Sequence, residues 1–126
     1  MSLKYIAVDG CELEFTAGGN DESITITGTT STKVKADGKA VYKELKFSIS
    51  GYNGQAITNH DGTGQGSIIA SAQKVKVEGN AVILEGDMSA QITINGSTTT
   101  QSGKQDVTAF EFVKVKKAGQ KKVKGS

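Results

Sequence analysis

Apolar and polar residues alternate with a period of two along much of this chain, which predicts half-buried β-strands rather than helices. Cys11, Leu13 and Phe15 share one face, with Glu12 and Glu14 on the other. Leu45, Phe47 and Ile49 alternate in the same way with Lys46 and Ser48. Residues 4–8, 24–27, 90–96 and 107–113 are further strand-like runs, and Ile92-Thr93-Ile94-Asn95-Gly96 echoes Ile24-Thr25-Ile26-Thr27-Gly28. A turn at Asp9-Gly10 predicts that the first two runs form an opening hairpin. Residues 52–66 make the longest irregular stretch, whose glycines leave it flexible or else shaped by close contacts.

Within this pattern one unit recurs. Residues 74–87 read as a strand, a tight turn at Glu78-Gly79-Asn80, and a second strand ending in Gly86-Asp87. Residues 33–44 match it in order: Lys, Val, Lys, an acidic residue, Gly, Ala, Val, Glu. A degraded third copy is Lys114-Val115-Lys116-Lys117-Ala118-Gly119. The copies start roughly 40 residues apart, a spacing typical of repeat architectures. Each has a turn glycine, Gly38, Gly79 or Gly119, where a two-residue hairpin needs positive φ. A lone hairpin is marginal in water, so the copies are expected to stack around a shared axis. The expected fold class is therefore all-β, with short strands and hairpins in a pseudo-threefold repeat.

Composition narrows the picture. The 126 residues suffice for one domain, expected over residues 1–116, with a Lys-rich, solvated tail at 117–126. There are 16 glycines, no proline and no tryptophan, so tight turns are plentiful and the core must be mainly aliphatic. The net charge of +2 is mild and every basic residue is lysine. Without arginine, a dedicated nucleic-acid reader is not expected. The single Cys11 excludes an internal disulfide framework. No apolar run is long enough to span a bilayer, and residues 1–4 do not begin a secretory signal. Synthesis in the cytoplasm without a cleaved leader is the expectation.

Residues 66–87 resemble the PAAR and PAAR-like proteins, in which segments of the form Gly-x-Ile-x-x-Gly-Ser-x-x-Val-x-Val-x-Gly-x-Pro-Ala-Ala-Arg-x-Gly-Asp recur. The strand, the Gly79 turn and the terminal Gly86-Asp87 match; Asn80-Ala81-Val82 stands where Pro-Ala-Ala would be, and no arginine follows. Residues 5–13 are similar to the opening hairpin of PAAR-like chains. The resemblance implies a compact β cone that caps a trimeric β-helical spike in a phage tail, a type VI secretion system or a related contractile injection particle. It implies a structural role in piercing the target membrane, with one copy per spike trimer and an effector as a further partner. By symmetry alone, Val34, Val75 and Val115 are the residues expected at the docking face. Another baseplate or fibre component, or a β-sheet binding module, is the alternative.

The chemistry-bearing residues are few. No cofactor is expected. The resemblance implies at most a structural metal ion near the apex, for which the chain offers His60 and Cys11, fewer than the four ligands of a tetrahedral zinc site. Outside that role, His60 reads as a surface residue in a turn and Cys11 as a buried, inert thiol. Glu12/Glu14 and Glu85/Asp87 are carboxylate pairs without any accompanying catalytic signature, so no enzyme is expected. Gly62, Gly64 and Gly66 lack the Gly-Lys-Ser/Thr of a phosphate loop. The scarce aromatics mostly alternate inward, which argues against a glycan-binding platform.

Overall fold

A computed structural model describes residues 3–54 and 56–126; Met1, Ser2 and Gln55 of the expected 1–116 domain lie outside the described residues. The protein is all-β, as the alternation predicts. Its strands are β1 (Lys4–Tyr5), β2 (Glu12–Phe15), β3 (Ile24–Ala36), β4 (Lys39–Tyr52), β5 (Gly62–Ser67), β6 (Lys76–Val77), β7 (Asn80–Ala81), β8 (Ile92–Thr100), β9 (Gly103–Glu111), β10 (Val113–Lys117) and β11 (Lys124–Gly125). The only helical turn among the described residues is a 3-10 segment, Asp21–Ser23.

The largest element is a five-stranded antiparallel sheet in the order β3-β4-β5-β8-β9. Two long hairpins, β3-β4 and β8-β9, flank β5, so the two Ile-Thr-Ile segments open the two hairpins. Leu45, Phe47 and Ile49 are buried, as expected, together with Ile92 and Ile94. Cys11, Leu13 and Phe15 enter the same core, which also holds Val113 and Val115.

Residues 62–67 correct the reading of 52–66 as irregular: they form the central strand of the sheet, and close contacts shape its glycines. The glycines conceal it from a pattern based on apolar side chains. A Cβ at Gly62 would meet the Tyr52 Cβ at 2.7 Å, and one at Gly66 would meet Ile92 Cγ2 at 2.7 Å and Phe47 Cζ at 2.8 Å. Large neighbours on β4 and β8 thus fold over β5, and glycine on alternate residues lets them close.

The first two repeats form hairpins of identical register. Ala36 pairs with Lys39 across Asp37-Gly38, and Val77 pairs with Asn80 across Glu78-Gly79. Both central residues of each turn have positive φ, 53° and 76° in one and 48° and 86° in the other, as a type I′ turn requires. Their equivalent residues Ala36/Val77 and Val41/Val82 meet in a second apolar cluster with Ile6, Val8, Ala72 and Leu84. These two copies therefore stack. The third does not repeat their geometry. β10 pairs with β2, placing Val115 opposite Leu13 in the main core, and Gly119 sits in a bend against the Gly10-Cys11 backbone rather than in a hairpin turn.

Two further expectations are corrected. Residues 4–15 do not form a hairpin, because β1 pairs with β11 and β2 with β10. A turn does reverse the chain, closed by the Cys11 N–H on the Val8 carbonyl at 2.9 Å, with Gly10 at φ 99°. Residues 117–126 are not a solvated tail. Gln120, 6% exposed, donates to the Ile6 and Val123 carbonyls at 2.9 and 2.7 Å and accepts from the Lys122 and Val123 amides, both at 2.8 Å. One buried amide satisfies four backbone groups and fastens a lysine-rich segment that has almost no apolar side chains of its own.

Candidate functional site

Segments from all three sequence copies hydrogen-bond to residues 5–9. The Asp9 amide donates to the Ala40 carbonyl of the first copy at 2.9 Å, and Val8 bridges Val41. The Ala7 amide donates to Ile83 of the second at 2.8 Å, and the Tyr5 carbonyl accepts from Glu85 at 2.9 Å. The Val8 amide donates to Ala118 of the third at 2.9 Å, and Ile6 donates to Val123 beyond it at 3.1 Å. Ala7 and Val8 are fully buried at this hub. A single extended segment thus satisfies its backbone from three sides, which keeps it rigid.

The Gly86-Asp87 ending of the second copy is a knot between repeats. Gly86, at φ 93°, donates to the Val115 carbonyl, and the Asp87 carbonyl accepts from the Val115 amide, both at 2.9 Å. The buried Asp87 carboxylate accepts from the Leu84 amide at 2.8 Å, the Ser71 amide at 3.1 Å and the Ser71 hydroxyl. Glu85 accepts from the Ala118 amide at 3.1 Å. Glu12 and Glu14, the other carboxylate pair, face Lys117 and Lys114 at 4.0 and 3.4 Å. All four carboxylates are engaged in holding strands and turns together.

The docking valines fall in unequal places. Val115 is 1% exposed and cannot meet a partner, because the third copy turns it into the main core. Val75 is half-buried against the second cluster. Val34 is exposed because β3 is bulged between Thr30 and Lys35; the Ser31 hydroxyl accepts from the Lys33 and Val34 amides at 3.1 and 3.0 Å and breaks the alternation that would turn Val34 inward. The exposed apolar side chains that sequence reasoning missed include Ile69 and Met88, joined by an amide-carbonyl bond of 2.9 Å, and Phe110, 61% exposed on β9.

Cys11 and His60 do not share a neighbourhood. Cys11 is buried beside Gly119 and next to Tyr42, and burial pushes its thiol up to about 12, with Asp9 adding to the shift. It is a poor nucleophile and a poor metal ligand in that state. His60 is exposed, at φ 54°, in a turn whose neighbours grip β8. Asn59 donates to the Ser97 hydroxyl at 2.9 Å, and Asp61 accepts from the Ser97 amide and hydroxyl at 2.8 and 2.5 Å. Those Ser97 hydrogen bonds hold the Asp61 carboxyl below its usual range. Among the described residues, no three His, Cys, Asp or Glu side chains come together as a metal-binding group.

A cleft of about 950 Å³ opens along β9, between the chain after β2 and the chain after β4. Asn20 stitches those segments together, donating to the Gly51 carbonyl at 3.0 Å and accepting from the Asn53 amide at 2.6 Å. Beneath them the Tyr52 hydroxyl donates to Glu111 Oε2 at 2.5 Å, and the Tyr52 ring meets Phe15 edge-on at 5.1 Å. Burial pushes the Tyr52 hydroxyl up, and the Glu111 carboxylate reinforces this. No helix among the described residues is long and apolar enough to cross a membrane. In comparisons with known proteins, the chain matches no family model, no curated protein and no solved structure.

Proposed function

We propose that the protein is a non-enzymatic, PAAR-like tip that caps a trimeric β-helical spike in a contractile injection particle, one copy per trimer. The observation that carries this reading is the hub at residues 5–9, where segments of all three repeats hydrogen-bond to one strand. An extended segment tied on three sides by the sequence copies gives one chain a rigid centre from which to sit on the axis of a three-fold partner, although the third copy differs in geometry from the first two. The mechanism is mechanical: a β body with carboxylate and amide knots at Asp87 and Gln120 transmits contraction force without fraying. Docking uses Val34 and the Ile69-Met88 pair, because Val115 is enclosed. Assembly into a virion tail or secretion particle, contact with the target membrane and carriage of an effector follow from the same reading. The reading requires no structural metal ion.

A second reading, a baseplate or fibre component or a binding module, draws on the two free edges of the large sheet at β3 and β9, which are templates for strand addition. Native mass spectrometry of the chain, alone and mixed with a trimeric spike protein of the same genome, separates the two. The tip reading expects a monomer that adds one copy per trimer, with Ile69→Asp weakening the complex. A stable homo-oligomer, or no affinity for the spike, overturns it and supports the second reading.

A further inference from the structure

The lysines are unevenly spread over the molecule. Residues 3–6, 72–77 and 118–126 meet beside the second apolar cluster. β1 pairs with β11, Lys4 opposite Gly125 and Tyr5 opposite Lys124. The Lys74 and Val75 amides both donate to the Ser126 carbonyl, at 2.9 and 3.3 Å. A Cβ at Gly125 would stand 3.1 Å from Val75 Cγ2 and 3.3 Å from Ile6 Cδ1, so the three segments are in contact.

Together they carry Lys4, Lys74, Lys76, Lys121, Lys122 and Lys124, all exposed. That gathers six of the chain's 15 lysines and none of its 13 aspartates and glutamates. Among the described residues, Lys122 is the one member of the six with an ion pair, to Asp37 at 3.4 Å. Glu78, just past the second segment, is turned instead to the Ser31 hydroxyl at 2.7 Å and to Lys43 at 3.8 Å. Like charges gathered without counter-charge repel, and an anionic partner relieves that repulsion.

The side chains between the lysines decide which anion fits. Leu3, beside Lys4, is 58% exposed, and Val123, between Lys122 and Lys124, is 38% exposed. Aliphatic side chains among lysines suit a bilayer interface, where they enter the headgroup boundary while the ammonium groups reach the phosphates. Reading of nucleic acid favours arginine, and the chain has none.

We infer that this lysine patch binds an anionic phospholipid surface, with Leu3 and Val123 entering the interface between the charges. The inference stands apart from the spike-tip reading, because it rests on the charge distribution and is measured without a spike. Its failure leaves the one-copy-per-trimer stoichiometry to be decided by mass spectrometry, and the reverse also holds.

The test is co-sedimentation of the full chain with vesicles of phosphatidylcholine alone or phosphatidylcholine containing phosphatidylglycerol, beside titration of a labelled DNA duplex. The expected result is binding to the anionic vesicles only, lost as salt rises from about 0.1 to about 0.5 M. Lys74→Gln with Lys121→Gln, both exposed, is expected to weaken it about fivefold for each lysine removed. Lys46→Gln with Lys104→Gln, outside the patch, should leave it within about twofold. Leu3→Ser is expected to weaken vesicle binding about threefold and leave the duplex unaffected. Binding to neither vesicle, equal binding to both, equal loss in the two double variants, unchanged vesicle binding in Leu3→Ser, or tighter binding to the duplex than to the anionic vesicles overturns the inference.

Discussion

Asp87 and Gln120 show how single polar side chains hold segments that hydrophobic burial alone would leave loose. Asp87 accepts from Leu84 and Ser71, fixing the exit of the second repeat beside Val115 of the third. Asp87→Ala leaves the buried Leu84 amide without an acceptor, removes those of the Ser71 amide and hydroxyl, and is expected to cost about 2–4 kcal/mol in urea-monitored unfolding. Asp61 and Glu78 work nearer the surface. The Ser31 hydroxyl, at 2.7 Å, and then Lys43 hold Glu78 below its ordinary range, as the Ser97 hydrogen bonds do for Asp61. A carboxylate whose folded-state pKa is depressed contributes stability that is complete above its unfolded pKa and is lost as pH falls through the folded value. Melting temperatures should therefore hold steady down to about pH 5 and then fall below about pH 4. Asp61→Asn and Glu78→Gln should flatten that acid limb without altering the plateau shape.

At the scale of elements, β5 is a strand defined by what it lacks. Gly62, Gly64 and Gly66 face Tyr52, Ile94, the Thr93 carbonyl, Ile92 and Phe47, while Thr63 and Gln65 face outward. Gly66→Ala is expected to destabilise by about 1–3 kcal/mol through overpacking. Gln65→Ala, one residue away on the exposed face, should stay within about 0.5 kcal/mol. Equal effects at the two positions in chemical unfolding would show that close approach is not what the glycines provide. The Asp37-Gly38 and Glu78-Gly79 turns were legible in advance, because turn type follows from local backbone chemistry. The Val34 bulge was not, because Ser31 was one hydroxyl among many until the fold brought Glu78 to it.

The whole molecule is closed by its ends. β11 pairs with β1, the Lys74 amide donates to Ser126 O at 2.9 Å, and Lys124 lies over the Tyr5 ring at 4.7 Å. Deleting residues 118–126 removes the Gln120 contacts and one side of the hub. The shortened chain is expected to melt more than about 10 °C lower in calorimetry. An unchanged melting temperature would mean that these residues only decorate a domain complete at Lys117.

By itself the sequence determined the all-β class, the inward faces of residues 11–15 and 45–49, and the two type I′ hairpins, because each depends on a periodicity or turn chemistry a few residues long. Part of the repeat logic was also legible: Ala36, Val41, Val77 and Val82 share a cluster because equivalent positions bury equivalent surfaces. The tertiary structure alone decided that β5 is a central strand, that Val115 is enclosed, that Gln120 anchors the chain's last residues, and that Glu111 is buried against the Tyr52 hydroxyl. Each of those outcomes depends on a partner tens of residues away, and the long-range packing that supplies the partner leaves no local pattern in the chain.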